Sequence, residues 1–234
     1  MNIALIPYKG KTLKFNVRGG GVYDKTVSDW IVLREMFVEN VYNLQKNDLK
    51  NTGVVLDIGA NIGTFSIQAA ALGAKKVIAV EPERENYIML CENVKHNNFE
   101  DIIISVNYGA GAVAGKAILL GDQTAGFIKG TRDGNISDDL PKQLVNLLTL
   151  EDLFKLAGSE FVDVLKVDCE GGEYGLFEPV PDEILKRFKL IKMEYHTTTT
   201  DKFDSMITRL SRFHKLNFYG DYINGGGQLY GVRY

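Results

Sequence analysis

Apolar residues fall in short, nearly continuous runs from residue 53 onward, with stretches of helical character between them. The runs are rich in Val, Ile and Leu and do not alternate in polarity, which is typical of parallel strands covered by helices on both faces. Strands are predicted over 54–59, 76–81, 101–107, 162–168 and 190–196, and helices over 64–72, 84–97, 150–156 and around 203–213. An α/β fold with a mostly parallel sheet is therefore expected.

Two β-prone runs and one helical repeat precede this region. Residues 2–7 and 11–17 predict a hairpin, and the flexible stretch Gly19–Gly21 follows it. Ser28 is predicted to cap a helix over 29–45, because apolar residues recur there at spacings of three and four.

The end of the chain carries a second hairpin signal. Strands are predicted over 214–219 and 228–234, on either side of the turn Asn224–Gly227. The segment 110–147 has a weaker pattern, in which one strand over 116–120 stands among turn-rich stretches and a loop.

No internal repeat or low-complexity linker interrupts the chain. One structural domain is therefore expected, in which residues 1–50 form a cap or lid packed on a core of residues 51–234. Because glycines before a helix permit a hinge, Gly19–Gly21 and the helix after them are expected to close over the site.

Composition and charge narrow the possible functions. Of the 234 residues, 45% are hydrophobic and 24% charged, as in ordinary globular proteins. The 27 Lys and Arg residues against 30 Asp and Glu residues leave a net charge of −3, so nonspecific nucleic-acid binding is not expected. Cys91 and Cys169 cannot form a disulfide framework, and no run reaches the ~20 apolar residues of a membrane span. A cytoplasmic location without membrane contact is expected.

A glycine-rich turn after the first core strand carries the first chemical signal. Asp57, Gly59, Asn61 and Gly63 stand directly before a helix, where bare backbone and helix N–H groups can approach a ligand. Glu81 lies 22 residues after Gly59, close to the ~20-residue spacing at which a carboxylate meets ribose hydroxyls in doubly wound folds. Because the turn lacks the middle glycine of the dinucleotide pattern, a nucleoside cofactor is favoured over NAD.

Three motifs of the core are specific in their residues and spacing. They are the turn Asp57–Gly63, the pair Glu81–Pro82 followed by Asn86, Leu90 and Asn93, and the run DVLKVDCEGGEY at 163–174. Together, over about residues 53–196, they resemble the FkbM family of S-adenosylmethionine-dependent methyltransferases. The last motif is the most specific, and Cys169 stands there in place of the usual aliphatic residue.

The resemblance implies a fold and a cofactor. The fold is the Rossmann-like class I methyltransferase fold, a seven-stranded sheet with an antiparallel last strand, which the C-terminal hairpin would supply. The cofactor is S-adenosylmethionine, whose ribose Glu81 would hold, with Asn107 or Tyr108 on the adenine side. The residues that would surround its methionine part are Asp57, Gly59, Asn61 and Gly63.

Ionisable residues follow the fourth and fifth core strands. They are Asp168, Glu170, Glu194 and His196. Since ligands bind at the carboxyl ends of the strands in open α/β sheets, we expect these residues to share one crevice with the Gly59 turn. A histidine has an ordinary pKa of about 6.5, so His196 is the expected general base, with Asp168 or Glu170 as the alternative.

Structural roles compete with these catalytic ones. Glu170 or Glu173 could bond N–H groups at the start of the next helix, and Lys166 could neutralise a carboxylate. Cys169 stands between carboxylates and is not expected to be a nucleophile. Mg²⁺ accepts carboxylate ligands, but the spacing here does not require a metal, and none is predicted.

The sequence thus predicts an S-adenosylmethionine-dependent methyltransferase that acts on a hydroxyl of a small molecule or sugar unit. Two alternatives stay open, an NAD-dependent oxidoreductase and a non-catalytic protein that binds a nucleoside cofactor. Nucleic acid is not the expected acceptor, because the net charge is negative and the fourth strand is not followed by the turns of base-methylating enzymes.

Overall fold

The computed structural model describes residues 2–19, 28–121, 126–129 and 139–234. Its strands are β1 (Asn2–Tyr8), β2 (Lys11–Val17), β3 (Val54–Ile58), β4 (Lys76–Val80), β5 (Ile103–Val106), β6 (Gly109–Ala110), β7 (Gly115–Leu120), β8 (Phe127–Ile128), β9 (Lys142–Leu148), β10 (Val162–Val167), β11 (Phe188–Tyr195), β12 (His214–Asp221) and β13 (Gly226–Arg233). Its α-helices are α1 (Ser28–Arg34), α2 (Thr64–Leu72), α3 (Arg84–His96), α4 (Leu150–Ala157), α5 (Glu173–Leu176), α6 (Asp182–Leu185) and α7 (Thr200–Ser211). Among these described residues, no helix is both long and apolar enough to cross a membrane.

Seven strands form one mostly parallel sheet in the order β12-β13-β11-β10-β3-β4-β5. The strands from β11 to β5 pair in parallel, whereas β13 runs antiparallel to β11 and forms a hairpin with β12. Every residue of β3 is buried, as its continuous apolar run predicts. The arrangement confirms the predicted Rossmann-like α/β fold and its C-terminal antiparallel hairpin.

The core lies on both faces of this sheet, because successive residues of a strand point to opposite sides. In β3, Val55 belongs to the apolar cluster that α2, α3 and the β1–β2 hairpin complete. Its neighbour Leu56 belongs to the cluster on the other face, which α4 and α7 complete. Helices on both faces leave the carboxyl ends of the parallel strands as the edge where a ligand can enter.

The helix predicted over 29–45 is shorter in the structure. α1 is followed by a π-helical turn at Glu35–Glu39, which stops at Asn40 with a φ of 49°. The Asn40 Oδ1 accepts a hydrogen bond from the Leu44 backbone N–H at 3.2 Å, which stabilises the new chain direction. Asparagine tolerates this left-handed conformation better than most residues, and apolar spacing carries no sign of it. A 3-10 turn at Lys46–Leu49 then leads into the sheet.

The start of this segment also differs from its prediction. Ser28 is the first residue of α1 rather than the residue before it, a shift within the usual variation of helix ends. Gly20 and Gly21 of the predicted hinge lie outside the described residues. The division into a cap of residues 1–50 and a core of residues 51–234 stays a prediction.

A second, smaller sheet with the order β6-β9-β7-β8 is inserted between β5 and α4. β7 confirms the strand predicted over 116–120. β9 was not predicted, because Pro141 suggested a loop there. Its backbone pairs antiparallel with β7 from Lys142 to Leu147, so a distant partner decides its conformation.

Candidate active site

The glycine-rich turn after β3 packs against the end of β10. Gly59 has a φ of 74°, and a Cβ atom at this position would lie 1.7 Å from the Asp168 carbonyl oxygen. Gly63 has a φ of 91°, and its Cβ would lie 2.5 Å from Leu90 Cδ1. Both positions therefore require glycine. The close approach joins the turn to the strand that carries Asp168.

Glu81 follows β4 and bonds to this turn. Its Oε2 accepts from the Asn61 N–H at 2.7 Å, and its Oε1 accepts from the Glu83 N–H at 2.9 Å. Burial raises the pKa of Glu81 to about 7, although these two hydrogen bonds favour the ionised form. The carboxylate lines a cavity together with Gly59 and Asn61. Its contact with a ribose stays a prediction.

Asp57 lies behind the turn in a buried ion pair. Its Oδ1 is 3.3 Å from Lys166 Nζ, and its Oδ2 accepts a hydrogen bond from the Ser66 hydroxyl at 2.6 Å. Lys166 Nζ also donates to the Gly59 carbonyl at 2.6 Å. Asp57 is fully buried, so in this structure it supports the turn. Its place beside the methionine part of the cofactor stays a prediction. The ion pair with Asp57 confirms the structural role considered for Lys166, which is to neutralise a carboxylate.

Asn107 bonds to the backbone that follows β4, and its adenine-side role stays a prediction. Its Nδ2 donates to the Glu81 carbonyl at 2.9 Å and to the Pro82 carbonyl at 3.1 Å. Both N–H groups of the amide are thus used on the backbone that follows β4. Asn107 therefore shapes the wall of the site in this structure. The adenine-side role of Tyr108 stays a prediction.

Two cavities meet at the carboxyl edge of the sheet. The first, here called the Glu81 cavity, is lined among others by Gly59, Asn61, Glu81, Leu119, Phe127, Ile128, Asp168 and Glu170. The second, here called the acidic cavity, has a volume of about 250 Å³ and is lined among others by Glu35, Tyr42, Gly59, Asn61, Lys166, Asp168, Glu170 and Glu194. Because the Gly59 turn borders both cavities, a ligand in one lies next to a ligand in the other.

Glu194 and Asp168 lie on either side of the Tyr42 hydroxyl. Tyr42 donates to Asp168 Oδ2 at 2.8 Å, and Glu194 Oε2 lies 3.4 Å from the same hydroxyl. Gln228 Nε2 donates to Glu194 Oε2 at 3.3 Å. Burial, and then the charge of Asp168, raise the pKa of Glu194 to about 7. A carboxylate with this pKa is suited to accept a proton at neutral pH.

His196 is held as an imidazolium. Its Nδ1 lies 2.9 Å from Glu173 Oε1, and its Nε2 lies 3.4 Å from Glu170 Oε2. Burial lowers the pKa of His196, but the hydrogen bond and charge of Glu173, followed by the charges of Glu170 and Asp168, outweigh burial and raise it to about 9. Since a protonated ring cannot accept a proton, this raised pKa argues against His196 as the general base near neutral pH, and the catalytic role of His196 stays a prediction.

Glu173 bonds to the backbone near the start of α5, and the thiol of Cys169 is held in its protonated form. Glu173 Oε2 accepts a hydrogen bond from the Gly171 N–H at 2.9 Å, which confirms the expected bond near a helix start. Burial, and then the charges of Glu173 and Asp168, raise the pKa of the Cys169 thiol well above its usual range. The thiol is thus no nucleophile at neutral pH, as predicted.

Asp168, Glu170 and His196 each offer a ligand atom to a common point, and these atoms lie within 4.8 Å of one another. Both imidazole nitrogens of His196 already face carboxylates. Because a histidine ligand must be neutral, binding a metal here would require the loss of the imidazolium proton. We assign no metal to this cluster.

Two residues of the acidic cavity were not predicted. Glu35 and Tyr42 come from the segment after α1, and Tyr42 lies 126 residues before its partner Asp168 in the sequence. No motif or spacing connects them to the core strands. Only the packing of this segment over the carboxyl edge brings them to the site.

Comparison with known protein families identifies the domain type. The methyltransferase FkbM domain matches residues 57–218 of the chain. The match begins at Asp57 and ends within β12, so it includes all ten residues predicted for the site.

Solved structures of similar fold are methyltransferases at low sequence identity. The METTL16 methyltransferase domain has 13% identity and a TM-score of 0.50, covering 95% of this chain and 74% of that chain. Precorrin-6y C5,15-methyltransferase from Geobacter metallireducens GS-15 has 14% identity and a TM-score of 0.46, covering 94% and 93%. TrmK from M. capricolum, solved with S-adenosylhomocysteine, has 11% identity and a TM-score of 0.49, covering 83% and 66%. At such identities a likeness concerns the fold alone.

Proposed function

Because the chain belongs to the FkbM methyltransferase family, we propose that it transfers the methyl group of S-adenosylmethionine to a hydroxyl oxygen of a small molecule or sugar unit. Methyl transfer and its cofactor follow from the family, which replaces the oxidoreductase and the non-catalytic alternatives. The acceptor class is the part that we propose. It is carried by the half-buried Glu194 carboxylate, which lines the acidic cavity and whose pKa of about 7 suits it to take a hydroxyl proton.

The residues of the Glu81 cavity fit this cofactor. Leu119 and Phe127 provide apolar walls for a base, and Glu81 provides a carboxylate for ribose hydroxyls. Asp168 and Glu170 add negative charge where the two cavities meet, which favours a cationic sulfur. When bound, S-adenosylmethionine supplies a methyl group on a positively charged sulfur that leaves as a neutral thioether.

The acidic cavity is the proposed acceptor site. Carboxylates line it from three parts of the chain: Glu35, the pair Asp168 and Glu170, and Glu194. Carboxylate oxygens accept hydrogen bonds from hydroxyls and repel phosphate. We therefore propose a hydroxyl-rich acceptor without a phosphate near the reacting oxygen, and not nucleic acid.

In the proposed reaction, the Glu194 carboxylate takes the proton of the acceptor hydroxyl while the acceptor oxygen attacks the methyl carbon. S-adenosylmethionine held in the Glu81 cavity would supply the methyl group, and its sulfur would leave as the neutral thioether. The imidazolium of His196 pairs with Glu170 and Glu173 and offsets their negative charge. Tyr42 lines the acidic cavity beside these carboxylates, together with apolar residues that include Val32, Met36 and Phe65.

The proposal is tested with Glu194→Gln, and Glu100→Gln, an exposed residue before β5, is the matched control. Transfer of radiolabelled methyl groups is measured with a panel of monosaccharides and sugar alcohols, each paired with its deoxy analogue. We expect transfer to hydroxyl compounds, and a loss of about 10²- to 10⁴-fold in kcat for Glu194→Gln only. Calorimetry with S-adenosylhomocysteine should show that both variants retain binding. Full activity of Glu194→Gln, or transfer to amines alone, would contradict the proposal.

A further inference from the structure

Tyr42 reaches the carboxyl edge of the sheet from the N-terminal part of the chain. It is 2% exposed, and its ring packs edge-on against Phe65 with the centroids 5.5 Å apart. Lys166 Nζ lies 5.5 Å from the centroid of the same ring. These contacts direct the Tyr42 hydroxyl at the carboxylates of Asp168 and Glu194.

The loop that carries Tyr42 is tied to the sheet on both sides of this residue. The Tyr230 hydroxyl of β13 donates to the Val41 carbonyl. Lys192 Nζ of β11 donates to the Asn43 carbonyl at 2.9 Å. Since both sequence neighbours of Tyr42 are bonded to strands of the main sheet, the sheet itself sets the position of the hydroxyl.

The Tyr42 phenol has one proton and faces two carboxylates. The distance from its oxygen is 2.8 Å to Asp168 Oδ2 and 3.4 Å to Glu194 Oε2. The first distance is that of a full hydrogen bond, and the second is beyond the usual range for O–H donors. A hydrogen bond to an ionised carboxylate favours the ionised form. The hydroxyl therefore favours negative charge on Asp168 over negative charge on Glu194.

We propose that Tyr42 is a positioning residue whose hydroxyl holds the negative charge on Asp168 and so leaves Glu194 as the carboxylate that takes the acceptor proton. This inference rests on the proposed function and explains why Glu194, of the two neighbouring carboxylates, is the base. Burial, and then the charges of Asp168 and Glu194, raise the pKa of Tyr42 well above its usual range. The phenol therefore stays a donor throughout the pH range in which Glu194 titrates.

Other charged groups face this pair from each element packed around it. They are Glu35 from the turn after α1, Asp57 from β3, Lys166 from β10, Glu170 from the following loop and His196 after β11. Lys166 Nζ also lies 3.6 Å from Asp168 Oδ2, so its charge favours the ionised form of Asp168 in the same direction as the Tyr42 hydroxyl. The charges of the other groups act on the pair over distance. The Tyr42 hydroxyl differs from them, because it donates a hydrogen bond to one member of the pair.

The test is Tyr42→Phe, which keeps the ring against Phe65 and removes only the hydroxyl. Tyr234→Phe, at the exposed last residue, is the matched control. Carboxyl ¹³C NMR of the full chain, labelled in its Asp and Glu side chains, follows proton uptake from about pH 5 to 9 without an acceptor. The signals of the pair are assigned with Asp168→Asn and Glu194→Gln. Calorimetry with S-adenosylhomocysteine and a backbone amide spectrum establish that Tyr42→Phe is folded.

In the wild type and in Tyr234→Phe, we expect the chemical shift of the Glu194 carboxyl carbon to change near neutral pH. The chemical shift of the Asp168 carboxyl carbon should change little over the same range. In Tyr42→Phe we expect the Asp168 carbon to take about a third or more of that change, and kcat to fall about tenfold. The same fall in kcat should be absent when Tyr42→Phe is made in an Asp168→Asn background.

The inference would be overturned if the carboxyl carbons of Asp168 and Glu194 titrated in Tyr42→Phe as they do in the wild type. A wild-type chain in which Asp168 takes most of the proton would overturn it as well. Wild-type kcat in Glu194→Gln would overturn the proposed function and, with it, the role of Glu194 toward the acceptor proton. The NMR titration does not depend on turnover, so it decides separately whether Tyr42 divides the charge between the two carboxylates.

Discussion

At the scale of single residues, the buried charges of the site are paired. Lys166 Nζ lies 3.3 Å from Asp57 Oδ1 and 3.6 Å from Asp168 Oδ2. Leaving one member of such a pair unpartnered in the interior costs about 3–5 kcal/mol, so each charge fixes the place of the other. Because Lys166 also donates to the Gly59 carbonyl, the same network sets the path of the glycine turn beside both cavities.

Gly59→Ala is expected to destabilise the chain and abolish cofactor binding, because its Cβ would lie 1.7 Å from the Asp168 carbonyl oxygen. β3 and β10 would have to separate to make room for it. Gly73→Ala is the control, since Gly73 has a φ of 104° but nothing within 4 Å of an added Cβ. That change costs about 1 kcal/mol of conformational strain. Urea denaturation and calorimetry with S-adenosylhomocysteine measure both effects, and equal losses in the two variants would refute the steric argument.

At the scale of elements, α3 joins the β1–β2 hairpin to the glycine turn through asparagine side chains. Asn93 Oδ1 accepts from the Asn16 N–H of β2 at 2.6 Å, and its Nδ2 donates to the Ile62 carbonyl at 2.9 Å. Asn97, the residue directly after α3, accepts from the Lys14 N–H at 2.9 Å. The hairpin is thereby attached to the core next to the turn that borders the Glu81 cavity.

Asn93→Ala is expected to lower the free energy of unfolding by about 1–3 kcal/mol, because it leaves buried backbone groups of Asn16 and Ile62 without their partner. Affinity for S-adenosylhomocysteine should fall as well, since Ile62 belongs to the glycine turn. Asn97→Ala removes two exposed hydrogen bonds to the Lys14 backbone and should cost less than about 1 kcal/mol. Denaturation in urea compares the two, and a larger loss in Asn97→Ala would show that the buried bonds do not fasten the hairpin.

At the scale of the whole molecule, three groups of the site bind protons more tightly in the folded chain than in the unfolded chain. The pKa values of Glu81 and Glu194 are raised by burial to about 7. That of His196 is lowered by burial but raised further by Glu173, Glu170 and Asp168, to about 9. Each group therefore favours the folded state most at pH values below its unfolded pKa, and this contribution is lost as the pH rises through its folded pKa.

The free energy of unfolding is accordingly expected to fall as the pH rises. The two glutamates cause this fall between pH 4.5, their ordinary pKa, and about pH 7. His196 causes it between pH 6.5 and about pH 9. Urea denaturation at a series of pH values measures the slope. Glu81→Gln cannot ionise at this position, so it should reduce the slope between about pH 4.5 and pH 7. The slope due to His196, at higher pH, should remain. A stability that increases with pH over this range would contradict the assignment of these raised pKa values.

Much of the fold was predictable because local pattern and burial agree there. The parallel strands are continuous apolar runs, and Gly59 and Gly63 have positive φ values that other residues rarely adopt. The grouping of Asp168 and Glu194 beside the Gly59 turn was also predictable, because the carboxyl ends of parallel strands share one edge.

Other features were not predictable because they depend on distant parts of the chain. The helix after Ser28 ends at Asn40, where a side-chain bond to the Leu44 backbone competes with the helix. β9 becomes a strand through pairing with β7. The sequence pattern also does not identify Asp57 as the buried ion-pair partner of Lys166, or neighbouring backbone carbonyls as the acceptors of the bonds from Asn107.

By itself, the sequence determines the α/β fold, the family and the position of the cofactor turn, because these depend on apolar runs and on glycines at specific spacings. The tertiary structure decides which group takes a proton. A pKa depends on burial and on neighbouring charges, and here Tyr42, Asp168 and Glu194 come from three separate parts of the chain. The pKa of His196 is thus raised to about 9 and that of Glu194 to about 7. Glu194 is therefore the base that we propose, whereas the ordinary pKa values of the two side chains favour His196.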